Sequence, residues 1–122
     1  MILTTEYLLD RTVYGTASGN YDGSSQLFYG DPVRAADYYA GLGSIQTATI
    51  RVTGFVGIIT LQATLNDQPS IQAAWFDLQT YGDGSTVDTD NYPITNTGNF
   101  TFMRVRVDGF DAGTIDNIQL TY

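Results

Sequence analysis

The chain has 122 residues, enough for one domain, and apolar residues make up 43% of it, so it can bury a hydrophobic core. Thirteen acidic residues stand against five arginines, with no lysine or histidine, and the formal net charge of −8 argues against nucleic acid as a partner. The lack of cysteine and histidine excludes disulfides, thiolate and imidazole metal ligands, and the commonest catalytic base.

The N-terminal sequence "MILTTEYLLDRTVYG" has neither the basic start nor the apolar run of a signal peptide, and no segment is apolar enough to span a bilayer. We therefore expect synthesis and folding in a cytoplasm, with no membrane partner. Proline and glycine frame a segment, Pro32–Gly41, that fits one helical turn or a strand equally well. The strands expected in this third are Ile2–Leu8, Thr12–Thr16, Gln26–Tyr29 and Ala36–Ala40.

The middle of the chain alternates apolar and polar residues with the period of a half-buried strand. In "IQTATIRVTGF" the apolar positions are Ala48, Ile50 and Val52, and in "GIITLQATL" they are Ile59, Leu61, Ala63 and Leu65. Glycine can adopt the positive φ of tight turns, so we expect a hairpin at Gly54–Gly57. The pentapeptide "RVTGF" recurs as "RVDGF" at Arg106–Phe110, which predicts a second chain reversal of the same kind.

The C-terminal half continues the pattern with one interruption. "IQAAWFDLQT" changes parity between Trp75 and Phe76, which predicts a bulge or a strand covered on both faces. The polar segment Tyr81–Asn99 has the composition of a loop, with a short strand around Tyr92–Ile94. "FTFMRVRVDGF" and "GTIDNIQLTY" each alternate again, so the chain ends in a strand.

Eight or nine short strands separated by turn residues are typical of an all-β fold. We predict a single antiparallel β-sandwich of jelly-roll type over residues 1–122, with little or no helix. The first few residues are either part of the sandwich or an arm that docks on, or exchanges with, a neighbouring subunit.

The acidic segment "DGSTVDTDN" offers hard oxygen ligands of the kind that calcium prefers. Its candidate ligands are Asp83, Asp88, Asp90 and Asn91. Their spacing does not match a helix-loop-helix calcium loop, and the alternative is an exposed acidic loop that needs no cofactor.

Aromatic side chains near this segment suggest a second kind of site. Trp75, Tyr81 and Tyr92 could form a platform for the apolar face of a sugar, with nearby Asp and Asn bonding its hydroxyls. The alternative for Trp75 is a core position, because it lies in an apolar strand, and the tyrosines could equally be interface residues.

Catalysis finds little support in the sequence, and we expect no enzyme. Most acidic residues lie in turn contexts such as "YDGS", "GDP" and "VDGFD", where Asp bonds the nearby backbone.

Three arginines lie at the polar positions of the alternating strands, where side chains do not face the core, namely Arg51, Arg104 and Arg106. They are candidates for a protein interface, because the planar guanidinium pairs with carboxylates and stacks on rings, or alternatively for solvated cross-strand ion pairs.

The segments "GFVGIITLQATLNDQPSIQAAWFDL" and "NTGNFTFMRVRVDGFDAGTIDNIQLTY" together resemble small structural proteins of tailed bacteriophages, particularly contractile-tailed phages of cyanobacteria. The resemblance covers Arg51 to Tyr122 and brings no catalytic residues.

This resemblance implies a virion protein made in the host cytoplasm. The part played would be that of a capsid decoration or cement protein, or of a neck, baseplate or fibre subunit. Its partners would be copies of itself and other virion proteins. The competing hypothesis is a carbohydrate-binding module, which could also be virion-borne and would recognise host surface glycans.

Overall fold

The computed structural model describes residues 4–35, 45–66 and 74–122, and these residues form eight β-strands and no helix. Every neighbouring pair of strands is antiparallel. The predicted antiparallel all-β class is therefore confirmed, whereas the jelly-roll connectivity stays a prediction. The strands are β1 (Thr5–Leu9), β2 (Thr12–Val13), β3 (Phe28–Tyr29), β4 (Val33–Arg34), β5 (Ile45–Thr64), β6 (Phe76–Tyr81), β7 (Asp88–Thr97) and β8 (Phe102–Thr121).

Two strands of 20 residues each, β5 and β8, run side by side through the centre of the sheet. On its other edge, β5 pairs first with β7 and then with β6. The other edge of β8 pairs with β4 and β3 along its first half and with β2 and β1 along its second half. Both long strands bend midway, so the sheet folds over into two layers that share their central strands.

The first layer contains β3, β4, β6, the first half of β8 and the second half of β5. The second layer contains β1, β2, β7, the second half of β8 and the first half of β5. Hydrogen bonds join the layers at both open sides. Gln79 Nε2 of β6 donates to Asn96 Oδ1 of β7 over 3.1 Å, and on the opposite side the hydroxyl of Tyr122 donates to the carbonyl of Arg34 over 3.0 Å.

The hydrophobic core lies between the two layers, and the predicted alternation supplies it. Residues at the predicted apolar positions of β5 and β8 are at most 1% exposed, namely Ala48, Ile50, Val52, Ile59, Leu61, Ala63, Met103, Val105 and Val107. Leu65, which was also expected to face inward, is 62% exposed because β5 ends one residue earlier, at Thr64.

The predicted hairpin at Gly54–Gly57 is wrong. Residues 45–53 and 58–64 do not pair with each other; both pair with β8, and the chain continues as one bent strand. The register of the β5–β8 pair shifts between Thr53 and Val56 and again between Val56 and Ile58. Gly54 and Gly109 have φ angles of 61° and 58°, so each "RV-x-GF" pentapeptide marks a bulge at which a long strand turns from one layer into the other.

A bulge, one of the two alternatives offered for this segment, does occur in β6, but at Leu78, since Leu61 pairs with Gln79 and Gln62 pairs with Asp77. The short strand expected at Tyr92–Ile94 is a ten-residue edge strand, β7. The sequence underestimates the length of β7 because the strand is polar: only Ile94 and Asn96 are buried, and most of its other side chains face solvent.

The N-terminal strands are shorter than expected, and Pro32–Gly41 contains strand residues Val33–Arg34 in its described part. The strand expected at Ala36–Ala40 lies outside the described residues. From Thr4 onward the chain pairs with its own last strand, since the amide of Thr4 donates to the carbonyl of Tyr122 over 2.7 Å. Residues 1–3 are also outside the described part, and the docking arm stays a prediction.

Candidate functional site

A guanidinium held between two aromatic rings marks the outer face of the first layer. The Cζ of Arg104 lies 4.5 Å from the centre of the Tyr29 ring and 4.3 Å from the Trp75 ring. Strand alternation explains the position, because Met103 and Val105 point into the core and Arg104 between them must point outward. Stacking on each ring contributes about 0.5–2 kcal/mol, according to how far the cation is desolvated.

A chain of hydrogen bonds fixes the same face. Arg104 Nε donates to Gln62 Oε1 over 2.8 Å, and Gln62 Nε2 in turn donates to Asp77 Oδ1 over 2.8 Å. Asp77 also lies 3.6 Å from Arg106, whose Nε donates to Asp108 over 2.8 Å. The carboxylates on this face are therefore engaged by Arg106 and Gln62.

In the described part of the chain, no carboxylate forms an ion pair with the guanidinium of Arg104. Both ion pairs within residues 4–35, 45–66 and 74–122 are formed by Arg106. Burial lowers the pKa of Arg104, the Tyr29 phenol opposes that shift, and the positive charge of Arg106 adds to it. An arginine stays protonated at neutral pH nonetheless. We call Tyr29, Gln62, Trp75, Arg104 and Arg106 the arginine patch.

The three arginines predicted as interface residues do not lie together. Arg51 is exposed on the outer face of the second layer, where its Nε donates to Asn91 Oδ1 over 3.4 Å. Arg104 and Arg106 share the outer face of the first layer. The ion-pair interpretation fits Arg106, whereas Arg104 is stacked.

The three aromatics predicted as a sugar platform are divided between two faces. Tyr81 points into the core at 8% exposure, and its ring lies 5.2 Å from that of Tyr92, which is 44% exposed. Trp75 stacks on Arg104 on the outer face of the same layer. The structure therefore brings Tyr81 and Tyr92 together at the open side of the sandwich and places Trp75 elsewhere.

The hydroxyl of Tyr81 lies near two carboxylates, those of Asp88 and Asp90. Its hydroxyl donates to Asp90 Oδ2 over 3.3 Å. Burial, followed by the negative charges of Asp88 and Asp90, raises the pKa of Tyr81 to about 12. The phenol is thus held protonated, as a hydrogen-bond donor between β6 and β7.

Of the predicted calcium ligands, Asp83 is used by its own loop. Its carboxylate accepts bonds from the amides of Ser85 and Thr86, over 2.9 and 2.7 Å, and from the Thr86 hydroxyl over 2.7 Å. These bonds hold the pKa of Asp83 well below its usual range. The "DGSS" turn at Asp22 has the same arrangement, and there the amides of Ser24 and Ser25 lower the pKa of Asp22 to about 2. At Asp83 this geometry fits the exposed acidic loop that the sequence offered as the alternative to a calcium site.

The other candidate ligands lie on β7. Asp90 accepts from Tyr81 and from the amide of Asn91, and Asn91 accepts from Arg51. No group of three or more acidic side chains that could hold a metal ion occurs in the described part of the chain. The side-chain oxygens of Asp90 and Asn91 therefore have protein partners.

A surface that the sequence analysis did not single out covers the outer face of the second layer. Strand register aligns Thr5, Thr121, Thr47 and Thr95 in one row across four strands, and Tyr7, Gln119, Thr49 and Pro93 in the next. We call these eight residues the threonine face. Four strands span about 14 Å, and the rows are about 7 Å apart. The "TAT" of β5 was the only sequence signal, because a cross-strand row appears only once the register is known.

The described residues also form an open cleft of about 100 Å³ beside β1, lined by residues that include Tyr7, Asp10, Asn20 and Asp31. Sites for small molecules usually measure about 300–1,000 Å³, so this cleft suits little more than water or an ion.

Within the described residues, no helix has the length and hydrophobicity to cross a bilayer. In comparisons with known proteins, no family model, curated protein or solved structure matches the chain.

Proposed function

We propose that the chain is a structural subunit of a bacteriophage virion and works through protein–protein assembly. The motif resemblance over Arg51 to Tyr122 supports the virion, as a capsid decoration or cement protein or as a neck, baseplate or fibre subunit. The partners are further copies of the chain and other virion proteins. No catalytic role is assigned to any residue.

The observation that carries the assembly role is the threonine face. None of its eight side chains is charged at neutral pH, although the chain as a whole carries −8. The centres of protein interfaces are depleted of charged residues, and tyrosine is enriched there. Tyr7, which is 53% exposed, provides an aromatic anchor at one edge of the face.

Charge explains why such a face suits contact between identical copies. Two surfaces of strong like charge repel each other, and this repulsion must be avoided wherever two copies touch. The threonine face keeps that charge away from the contact. Five of its eight side chains are short threonines, and the hydroxyls of Thr47 and Thr95 already bond each other over 2.9 Å. These side chains therefore lose little entropy on association.

The virion assignment is tested by locating the chain in particles. Gold-labelled antibodies against the purified chain should decorate purified phage particles, and cryo-electron microscopy should place the threonine face against a neighbouring subunit. Particles that lack the chain by mass spectrometry would contradict the assignment. A map in which the threonine face is fully exposed to solvent would contradict its role in assembly.

A carbohydrate-binding function is the second candidate, and the Tyr81–Tyr92 pair favours it. The exposed Tyr92 ring lies against Tyr81, whose hydroxyl bonds Asp90 Oδ2, and a carboxylate oxygen is an acceptor that sugar hydroxyls can use. A glycan array should then show binding that Tyr92→Ala abolishes, with Tyr14→Ala, another exposed tyrosine, as the control. The absence of any signal at millimolar sugar would remove this candidate.

A further inference from the structure

The arginine patch contains hydrogen-bond donors, on the guanidinium of Arg104, that have no acceptor among the described residues. Arg104 is partly buried between two rings, and only its Nε has a hydrogen-bond partner in the described residues, namely Gln62. The two terminal nitrogens carry four N–H donors in a planar fork. A half-buried cation of this kind is normally paired with a carboxylate, because burial of an unpaired charge costs free energy.

The neighbouring carboxylates do not fill that role. Asp77 bonds Gln62 and lies beside Arg106, and Asp108 bonds Arg106. The network thus orients Gln62 to hold Arg104 Nε, and the two terminal nitrogens of the guanidinium have no hydrogen-bond partner among the described residues. Thr60, which lies opposite Arg106 on the same face, is 1% exposed, and its hydroxyl has no hydrogen-bond partner in the described residues. Considering only the described residues, this face therefore contains a cation without a carboxylate partner and a hydroxyl without a hydrogen-bond partner.

We propose that the arginine patch is a docking site for an acidic side chain of a partner protein, with the Arg104 guanidinium binding the carboxylate through its two terminal nitrogens. This proposal rests on the proposed assembly function and names the chemistry of one partner. A carboxylate matches the guanidinium fork in shape and charge. The flanking rings of Tyr29 and Trp75 exclude water from the pair, which strengthens it.

Charge favours a protein segment over a long polyanion as the occupant. The net charge of −8 repels nucleic acids and acidic polysaccharides along their length. One or two carboxylates on a protein surface can instead approach the positive charge of Arg104, because Asp77 and Asp108 pair with Arg106. Gln62 and Asp77 fix the orientation of the site before binding, so the ordering cost on association is small.

The test is a calorimetric titration of the isolated chain with a short oligoglutamate peptide, with oligoglutamine of the same length as the neutral probe. Trp75 is the only tryptophan, so its fluorescence reports on the site. We expect saturable binding of oligoglutamate alone, a change in Trp75 fluorescence, and weakening by added salt. Arg104→Gln should reduce the affinity at least about tenfold, and Arg104→Lys, which keeps the charge without the planar fork, should also reduce it.

Arg51→Gln is the matched control, because Arg51 lies on the other layer; its affinity should equal that of the wild type. No saturable binding, or equal binding by the Arg104 variants and the wild type, would overturn the proposal. Binding of polygalacturonate in place of the peptide would also overturn it, by identifying a polysaccharide as the occupant. Because the titration uses the dissolved chain alone, a negative result leaves the virion assignment to be decided separately by labelling of particles.

Discussion

The α-carbon of Gly113 lies directly against the carbonyl group of Gly54, at the point where the two long strands bend together. A methyl group on Gly113 would overlap that carbonyl and lie 2.6 Å from the amide nitrogen of Phe55. The φ of Gly113 is 88°, which strains any other residue. The bend that converts one sheet into two layers therefore depends on this close backbone contact.

Gly113→Ala should be severely destabilising, by about 3 kcal/mol or more, because steric overlap with backbone adds to the strain of positive φ. Urea unfolding followed by circular dichroism measures the loss. Gly15→Ala is the control, since its φ is also positive, at 85°, while nothing lies within 4 Å of the added methyl. Equal losses in the two variants would show that the close contact contributes nothing.

Gly54→Ala and Gly109→Ala should each cost about 1 kcal/mol, because both residues have left-handed φ but open space around the added methyl group. Asn tolerates this conformation better than Ala, so Gly109→Asn should lose less stability than Gly109→Ala. Thermal melts of the three variants test the bulge assignment. Unchanged melting temperatures for both alanine variants would refute it.

The second residue pair at the bend is Phe55 and Phe110, both fully buried with ring centres 5.7 Å apart. Phe110 also contacts the rings of Tyr14, Tyr21 and Phe28. Phe110→Ala should therefore cost about 3–5 kcal/mol, because it leaves a cavity among aromatic neighbours.

Phe76→Ala is the control for this cluster, because the Phe76 ring is 38% exposed, and it should cost distinctly less. Free energies of unfolding from urea titration make the comparison. A loss for Phe110→Ala no larger than that for Phe76→Ala would contradict the central place of the Phe110 ring.

Stability at high pH should depend on Tyr81. Its folded pKa of about 12 lies above the ordinary value of 10.0, so the neutral phenol favours the folded state. That contribution is fully present below pH 10 and is lost as the pH rises toward 12. Tyr81→Phe should therefore lose less stability than the wild type between pH 10 and pH 12. Ultraviolet titration of phenolate should show one tyrosine fewer near pH 12 in the variant, and identical titration curves would contradict the assignment.

The sequence predicted the all-β class and the inward faces of β5 and β8, because side-chain alternation depends only on local burial. It did not predict the course of the chain at Gly54 and Gly109. A glycine with positive φ fits a hairpin and a bulge equally well, and only the pairing of both halves of β5 with β8 separates the two. β7 was underestimated because Asp, Asn and Thr on an exposed edge strand have the composition of a loop.

For the candidate sites, the sequence predicted which side chains face outward but not which of them lie together. Alternation placed Arg51, Arg104 and Arg106 outward, but not on two different layers, because the layer of each residue depends on where the strands bend. Trp75 was expected in the core or on a sugar platform. It lies just before β6, where its ring stacks on Arg104. The threonine face needed four strands in known register.

The central claim is that the chain assembles through the threonine face, and Thr47→Asp tests it by placing a negative charge at the middle of that face. The control is Thr16→Asp, an exposed threonine in a turn away from the face. Thr16→Asp should change the free energy of unfolding by no more than about 0.5 kcal/mol. Thr47→Asp removes the bond to Thr95 and should cost about 0.5–1.5 kcal/mol. Thermal melts verify that both variants fold.

Sedimentation velocity over a range of concentrations is the decisive measurement. The wild type and Thr16→Asp should form the same oligomer as concentration rises, whereas Thr47→Asp should remain monomeric at every concentration. A wild-type chain that stays monomeric throughout, or a Thr47→Asp variant that assembles as the wild type does, would contradict the account.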